Sequence, residues 1–171
     1  FNIVLNSDNN MYKVFLTLLI LNFIVSCNQS SSKKELFYQI KKLEYNRISD
    51  PELWNKIKEN NDFHLVQHSF INSIGKTRAT QLITIIKDIL HSTQDDSLIS
   101  ECIFALGQIQ SDHAEQILLN LPFDKLTVKN QKHVIVALRH CSTEKTIQFY
   151  QKHLEDPNLR ADILINSAIC A

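Results

Sequence analysis

In Cys102–Ser111, CIFALGQIQS, the residues Cys102, Ala105, Leu106 and Ile109 fall at i, i+3, i+4 and i+7. That spacing lines them along one face of a helix. The same pattern lies 32 residues upstream, where Phe70, Ser73 and Ile74 precede Gly75, and 32 residues downstream, where Val134, Ala137 and Leu138 precede Arg139. A fourth stripe, Ile165, Ala168 and Ile169, follows after 31. A second stripe keeps the same step: Leu82, Ile85, Ile86 and Ile89 match Ala114, Ile117, Leu118 and Leu121, then Thr146, Phe149, Tyr150 and His153, with Leu154 taking the last apolar place.

Polar breaks separate the units at residues 60–62, 92–97, 122–125 and 155–158, and shorter ones at Lys76-Thr77, Ser111-Asp112 and Ser142-Thr143 split each unit into two helices. Asp112 and Thr143 are the expected N-caps, since a side-chain oxygen there satisfies an orphan amide. One helix pair has too small an apolar face to fold alone, so neighbouring pairs must stack and bury it. The fold expected is all-α, an α-solenoid of helix pairs with a step of about 32 residues. Its defining core residues are Ile74, Gly75, Ala105, Leu106, Gly107, Ala137 and Leu138.

Cys102–Ser111, followed by Asp112, His113, Ala114 and an apolar helix, resembles a HEAT repeat, particularly its bacterial short form, over about residues 36–171. The resemblance implies that small Ala105 lets two helices approach closely and that Gly107 tolerates a tight helix end or crossing. Arg139 and His140 depart from the pattern in the third unit. A narrower likeness rests on residues 40–47 (IKKLEYNR), residues 50–53 (DPEL) and Phe104–Gln108. It is to the HEAT-repeat region that precedes the β-barrel of envelope cyclophilin-type peptidyl-prolyl isomerases. It implies an activity for a longer parent and assigns no catalytic residue here.

Composition agrees with helix. The 171 residues include 2 glycines, where average usage would give about twelve. Phosphate-binding loops, tight hairpins and barrels draw on glycine, so the shortage opposes all three. With 18 basic and 18 acidic residues the formal charge is zero, and the basic field of a nucleic-acid binder is absent. No nucleic-acid partner is expected.

The only methionine is Met11, so residues 1–10 read as upstream read-through. Lys13 and the apolar run Val14–Val25 form a signal peptide over residues 11–26; twelve helical residues reach about 18 Å, short of the ~30 Å bilayer core. The run ends in Ile24-Val25-Ser26-Cys27, which resembles the lipobox of a bacterial lipoprotein. That likeness implies cleavage between Ser26 and Cys27 and a diacylglyceryl lipid on Cys27; an ordinary cleaved signal peptide or an uncleaved anchor is the alternative. Residues 27–35 then serve as a polar tether and residues 36–171 as the repeat domain. Cleavage removes Lys13 and Asp8, one charge of each sign, so lipid rather than charge holds the protein at the membrane. Asn28 fits outer-membrane sorting by analogy with other lipoproteins, facing the periplasm. The chain stops at Ala171 inside the first helix of a fourth unit, which implies that more follows.

No cofactor or metal is expected. Gly75-Lys76-Thr77 lacks the earlier glycine of a phosphate loop, because Phe70 holds that place. His64 and His68 would share a helix face as a metal pair does, with no third ligand indicated. Cys141 beside His140 aligns with core residue Ile109, so it reads as packing rather than as a nucleophile. Cys102, Cys141 and Cys170 match no zinc or redox spacing and read as small hydrophobes. Asp95-Asp96 and Glu155-Asp156 are turn acids. Phe37, Tyr38, Tyr45, Trp54 and Phe63 suggest two opening helices, 36–47 and 51–59, with Trp54 covering the first repeat. The function expected is protein or peptide binding by a lipid-anchored envelope scaffold, or alternatively service as the non-catalytic front of a prolyl isomerase.

Overall fold

The computed structural model describes residues 32–48, 50–59 and 64–170, with Thr17 alone upstream. The signal peptide, Ser26, Cys27, Phe63 and the Cys170 side chain lie outside the described residues. Among those described there are nine helices and no strand. They are α1 (32–46), α2 (Pro51–Lys58), α3 (His64–Thr77), α4 (Ile83–Ser92), α5 (Asp96–Ile109), α6 (Asp112–Leu119), α7 (Val128–Leu138), α8 (Glu144–His153) and α9 (Arg160–Cys170). Short 3-10 turns at Thr80–Leu82 and Phe123–Lys125 precede α4 and α7. No described helix is long and apolar enough to cross a membrane.

Each start has a local cause. Asp50 accepts from the amides of Glu52 and Leu53 at 2.9 and 3.3 Å, and Pro51 fills the first helical turn, where no amide partner is lost. Asp95 caps α5 in the same way, through Ser97 and Leu98 at 2.8 and 3.3 Å. Thr143 caps α8 through the Thr146 amide at 3.3 Å, as expected. The cap of α6 is Ser111, whose hydroxyl accepts from Ala114 at 3.2 Å, so Asp112 is the first helical residue instead of the cap. The acid still favours that end, because it meets the positive pole of the helix. Lys76 and Thr77 are helical rather than a break, and α1 is already helical at residue 32, inside the expected tether.

Three helices end directly on a left-handed residue that is not glycine, Arg47 (φ 51°) after α1, Arg78 (φ 53°) after α3 and Gln110 (φ 54°) after α5, and Ser142 (φ 49°) lies in the turn between α7 and α8. Such a residue costs about 1–2 kcal/mol for any side chain with a Cβ. Gln110→Gly removes that cost against about 0.5–1 kcal/mol of extra chain entropy in the unfolded state. It is expected to stabilise by up to about 1 kcal/mol in urea titrations, and a loss of stability would contradict the left-handed cap.

The core is built on α5. It packs against α3 on one side and α7 on the other, while α4 and α6 cover its remaining buried face; α7 in turn meets α9. Phe70, Ile74, Cys102, Leu106, Val134 and Leu138 are buried in α3, α5 and α7, and Leu82, Ile86, Ala114, Leu118, Thr146 and Tyr150 in the segments that follow each of them. Trp54 stacks on Phe70 with ring centroids 5.7 Å apart, covering the first end of the core. A Glu44–Lys76 ion pair at 3.0 Å ties α1 to α3.

Both glycines have ordinary negative φ and lie inside helices, so neither makes a turn. Their role is close approach. A Cβ on Gly107 would lie 2.8 Å from Ala137 Cβ and 2.9 Å from its Cα; one on Gly75 would meet Gln108 Oε1 at 2.5 Å and Ala105 Cα at 2.9 Å. α3 thus crosses α5, and α5 crosses α7, through a glycine set against an alanine.

At α9 the expected stripe is displaced. Ile165, Ala168 and Ile169 are exposed, and the helix instead buries Ile163 and Asn166, with Leu159 buried just before it. Counting 32 from Val134 gives Asn166, so the shorter step of 31 selects the neighbouring face. Arg139 and Ile169 hold the places of glycine and alanine at this crossing and cannot make the same close seam.

Candidate functional site

The face of α5 left over from the core carries Glu101, Phe104 and Gln108, at i, i+3 and i+7. On α3 the matching positions are Ser69, Asn72 and Lys76, and on α7 they are His133, Val136 and His140 just past its end. Most of these side chains line two adjoining hollows that share Phe104, Gln108 and His140. One, of about 330 Å³, lies between α5 and α7; the other, of about 470 Å³, lies toward α3 and the turns at Arg78 and Gln110. Together they form one open groove across three helices. Its base is the pair of glycine–alanine seams, and Gly75, Gly107 and Ala137 are part of its lining.

Phe104 is the apolar centre, 51% exposed although it follows the fully buried Ile103. Ser100 Oγ and His133 Nδ1 are 2.6 Å apart and join α5 to α7 along one edge. Burial holds His133 below its usual histidine range, helped by Lys129 and opposed by Glu101. At the other edge Arg139 Nε donates to His140 Nε2 at 3.4 Å. His140 is likewise pushed down, first by burial and then by Arg139 and Arg78. The amide oxygens of Asn72 and Gln108 are buried in the groove wall with no hydrogen-bond partner, at a cost of about 1–3 kcal/mol each if left so.

Serine and histidine meet at Ser100 and His133, but no third group orients the imidazole through its other nitrogen among the described hydrogen bonds. No group of three or more metal-ligating side chains occurs among the described residues.

No known protein family, curated protein or solved structure matches this chain. What it does must be read from its own surfaces.

The residues that the repeat pattern marks out divide between the core and this groove's floor. Ile74, Ala105, Leu106, Ala137 and Leu138 are buried, and Gly75 and Gly107 form the seams. Cys102 is fully buried, and burial drives its thiol far above the ordinary range, with Glu101 adding to the shift. A thiol held protonated is a poor nucleophile, so its role is packing. Cys141 is half-buried. Gly75-Lys76-Thr77 ends a helix, whereas a phosphate loop opens one. His64 is exposed and His68 half-buried on the first turns of α3. Asp95 and Asp156 are turn acids with defined partners, Asp156 accepting from the Asn158 amide at 2.8 Å.

Sequence reasoning missed the groove residues Asn72, Phe104, Gln108, His133 and Val136. The signal for them was present: Asn72, Phe104 and Val136 are 32 apart, as are Lys76, Gln108 and His140. It also missed Glu115, which is buried and accepts from the hydroxyls of Thr143 and Thr146, the latter at 2.7 Å, linking α6 to α8.

Proposed function

We propose that this chain is a lipid-anchored α-solenoid of HEAT-type helix pairs in a bacterial cell envelope, tethered through Cys27 at the periplasmic face of the outer membrane, and that it holds a protein or peptide in the groove over α3, α5 and α7. Its mechanism is surface presentation. The observation that supports this most directly is register: α5, α7 and α9 start at Asp96, Val128 and Arg160, and α6 and α8 start at Asp112 and Glu144, each 32 residues after its counterpart. A constant step brings equivalent side chains of successive helices side by side, so one surface stripe becomes a continuous trough. Exposed Phe104 in that trough is the kind of aromatic anchor that partner surfaces fill.

The test is a photo-crosslinking amino acid placed at Phe104 in cells making the full chain. A discrete protein adduct is expected there and not from Thr84, an exposed residue of α4 on a different surface. Equal labelling from both positions, or none from Phe104, would remove the groove as the binding surface. Palmitate incorporation tests the anchor: it should disappear in Cys27→Ala, and its persistence would refute lipidation at that residue.

A further inference from the structure

Within that reading, we propose that the groove takes an extended acidic peptide, with an apolar side chain seated on Phe104 and carboxylates directed to the edge formed by Lys76, Arg78, Arg139 and His140. Charge distribution is the first argument. The chain has no net formal charge, yet Lys76, Arg78 and Arg139 line the groove against one acid, Glu101. All three cations lie at the helix-end side, where the last carbonyls of α3 and α7 favour positive charge. Lys76 is balanced by Glu44 at 3.0 Å, and Arg139 is engaged with His140 at 3.4 Å. A basic segment would meet repulsion along this edge; an acidic one would not.

Shape is the second argument. Phe104 and Val136, 32 residues apart on α5 and α7, form an apolar strip in the groove. The strip runs across the helices rather than along them. Packed helices are about 8–10 Å apart, so crossing from α3 to α7 takes about 16–20 Å, the length of five or six extended residues. An extended backbone directs alternate side chains to opposite faces, which lets one apolar residue enter at Phe104 while neighbouring acids remain at the rim.

Hydrogen bonding is the third. Asn72 and Gln108 line the same hollow as Phe104, and each has a buried amide oxygen without a partner. Amide torsions are broad, so a modest turn offers these acceptors to the main-chain N–H groups of a peptide. Nucleic acid also carries negative charge, but its regular phosphates would face Glu101, and it lacks the apolar side chain that fits the strip.

Fluorescence anisotropy on the full chain in detergent tests this with a fluorescein-labelled hexapeptide, Asp-Glu-Leu-Leu-Glu-Asp. Saturable binding is expected. It should weaken at least tenfold for Phe104→Ser, for the pair Arg78→Glu and Arg139→Glu, and for a probe with amides in place of its carboxylates. Lys87→Glu, on the α4 side, should leave it unchanged. Absence of saturable binding, equal binding of the lysine-for-acid peptide, or tighter binding of a single-stranded hexanucleotide would overturn the proposal. Circular dichroism of each variant separates loss of binding from loss of fold. If cross-links form at Phe104 while the acidic peptide fails, the groove remains a binding surface and its acidic selectivity is refuted.

Discussion

Gly107→Leu is expected to cost at least about 3 kcal/mol and to pull α5 away from α7, and even Gly107→Ala should destabilise. Two effects compete in the alanine variant. Replacing glycine inside a helix gains about 1 kcal/mol from backbone entropy. The added Cβ, however, falls 2.8 Å from Ala137 Cβ and 2.9 Å from Ala137 Cα. The second of these is backbone, which no rotamer change can move, so the helices themselves must separate. Overpacking of this kind costs about 1–3 kcal/mol and outweighs the propensity gain. Gly75→Ala should destabilise to a similar degree, because behind the movable Gln108 Oε1 its added Cβ also meets backbone, Ala105 Cα at 2.9 Å. Urea unfolding gives the order directly: wild type most stable, Gly75→Ala and Gly107→Ala below it and Gly107→Leu last. A Gly107→Ala protein as stable as wild type would show that the α5–α7 crossing is looser than the geometry requires.

The helical fold was legible because burial repeats. Phe70, Cys102 and Val134, like Ile86, Leu118 and Tyr150, are buried at one spacing, and solvent exclusion by neighbouring helices imposes that regularity on composition. The fourth stripe failed for a physical reason. Its step of 31 selects the face beside the buried one, which carries Ile163 and Asn166, and an exposed apolar residue such as Ile165 or Ile169 resembles a core residue in sequence alone. The cap of α6 was misplaced by one residue because Ser111 and Asp112 both have suitable oxygens, and only backbone geometry separates N-cap from first turn. The left-handed residues Arg47, Arg78, Gln110 and Ser142 gave no signal, since the usual marker is glycine and this chain places both glycines at helix crossings. The groove was missed because the 32-residue step was applied to buried positions only. Applied to the opposite stripe it aligns Asn72 with Phe104 and Val136. What composition could not convey is that Phe104, an apolar residue in a buried run, points away from the core.

Leu106→Asp should be the most damaging single change in the chain, at about 5 kcal/mol or more, enough to abolish cooperative unfolding in a domain of ordinary stability. Leu106 has no exposed surface, and its helix is covered by α3, α4, α6 and α7. The substitution loses about 1.5–3 kcal/mol of apolar burial. It also places a carboxylate where nothing solvates it, a cost met partly by taking up a proton. That gives the effect a sign in pH. An aspartate held neutral has a folded-state pKa above its unfolded value, so the folded state binds more protons between the two, and stability falls as pH rises through that window. The deficit relative to wild type should therefore be smaller near about pH 4 than near about pH 7. Leu138→Asp should follow closely, since α7 is held between α5 and α9. Ile165→Asp, on the exposed face of α9, should change stability by no more than about 0.5 kcal/mol. Thermal melts at two pH values test the whole series. If Leu106→Asp melts like Ile165→Asp, or its deficit grows on acidification, position 106 does not sit in the closed seam between the helices.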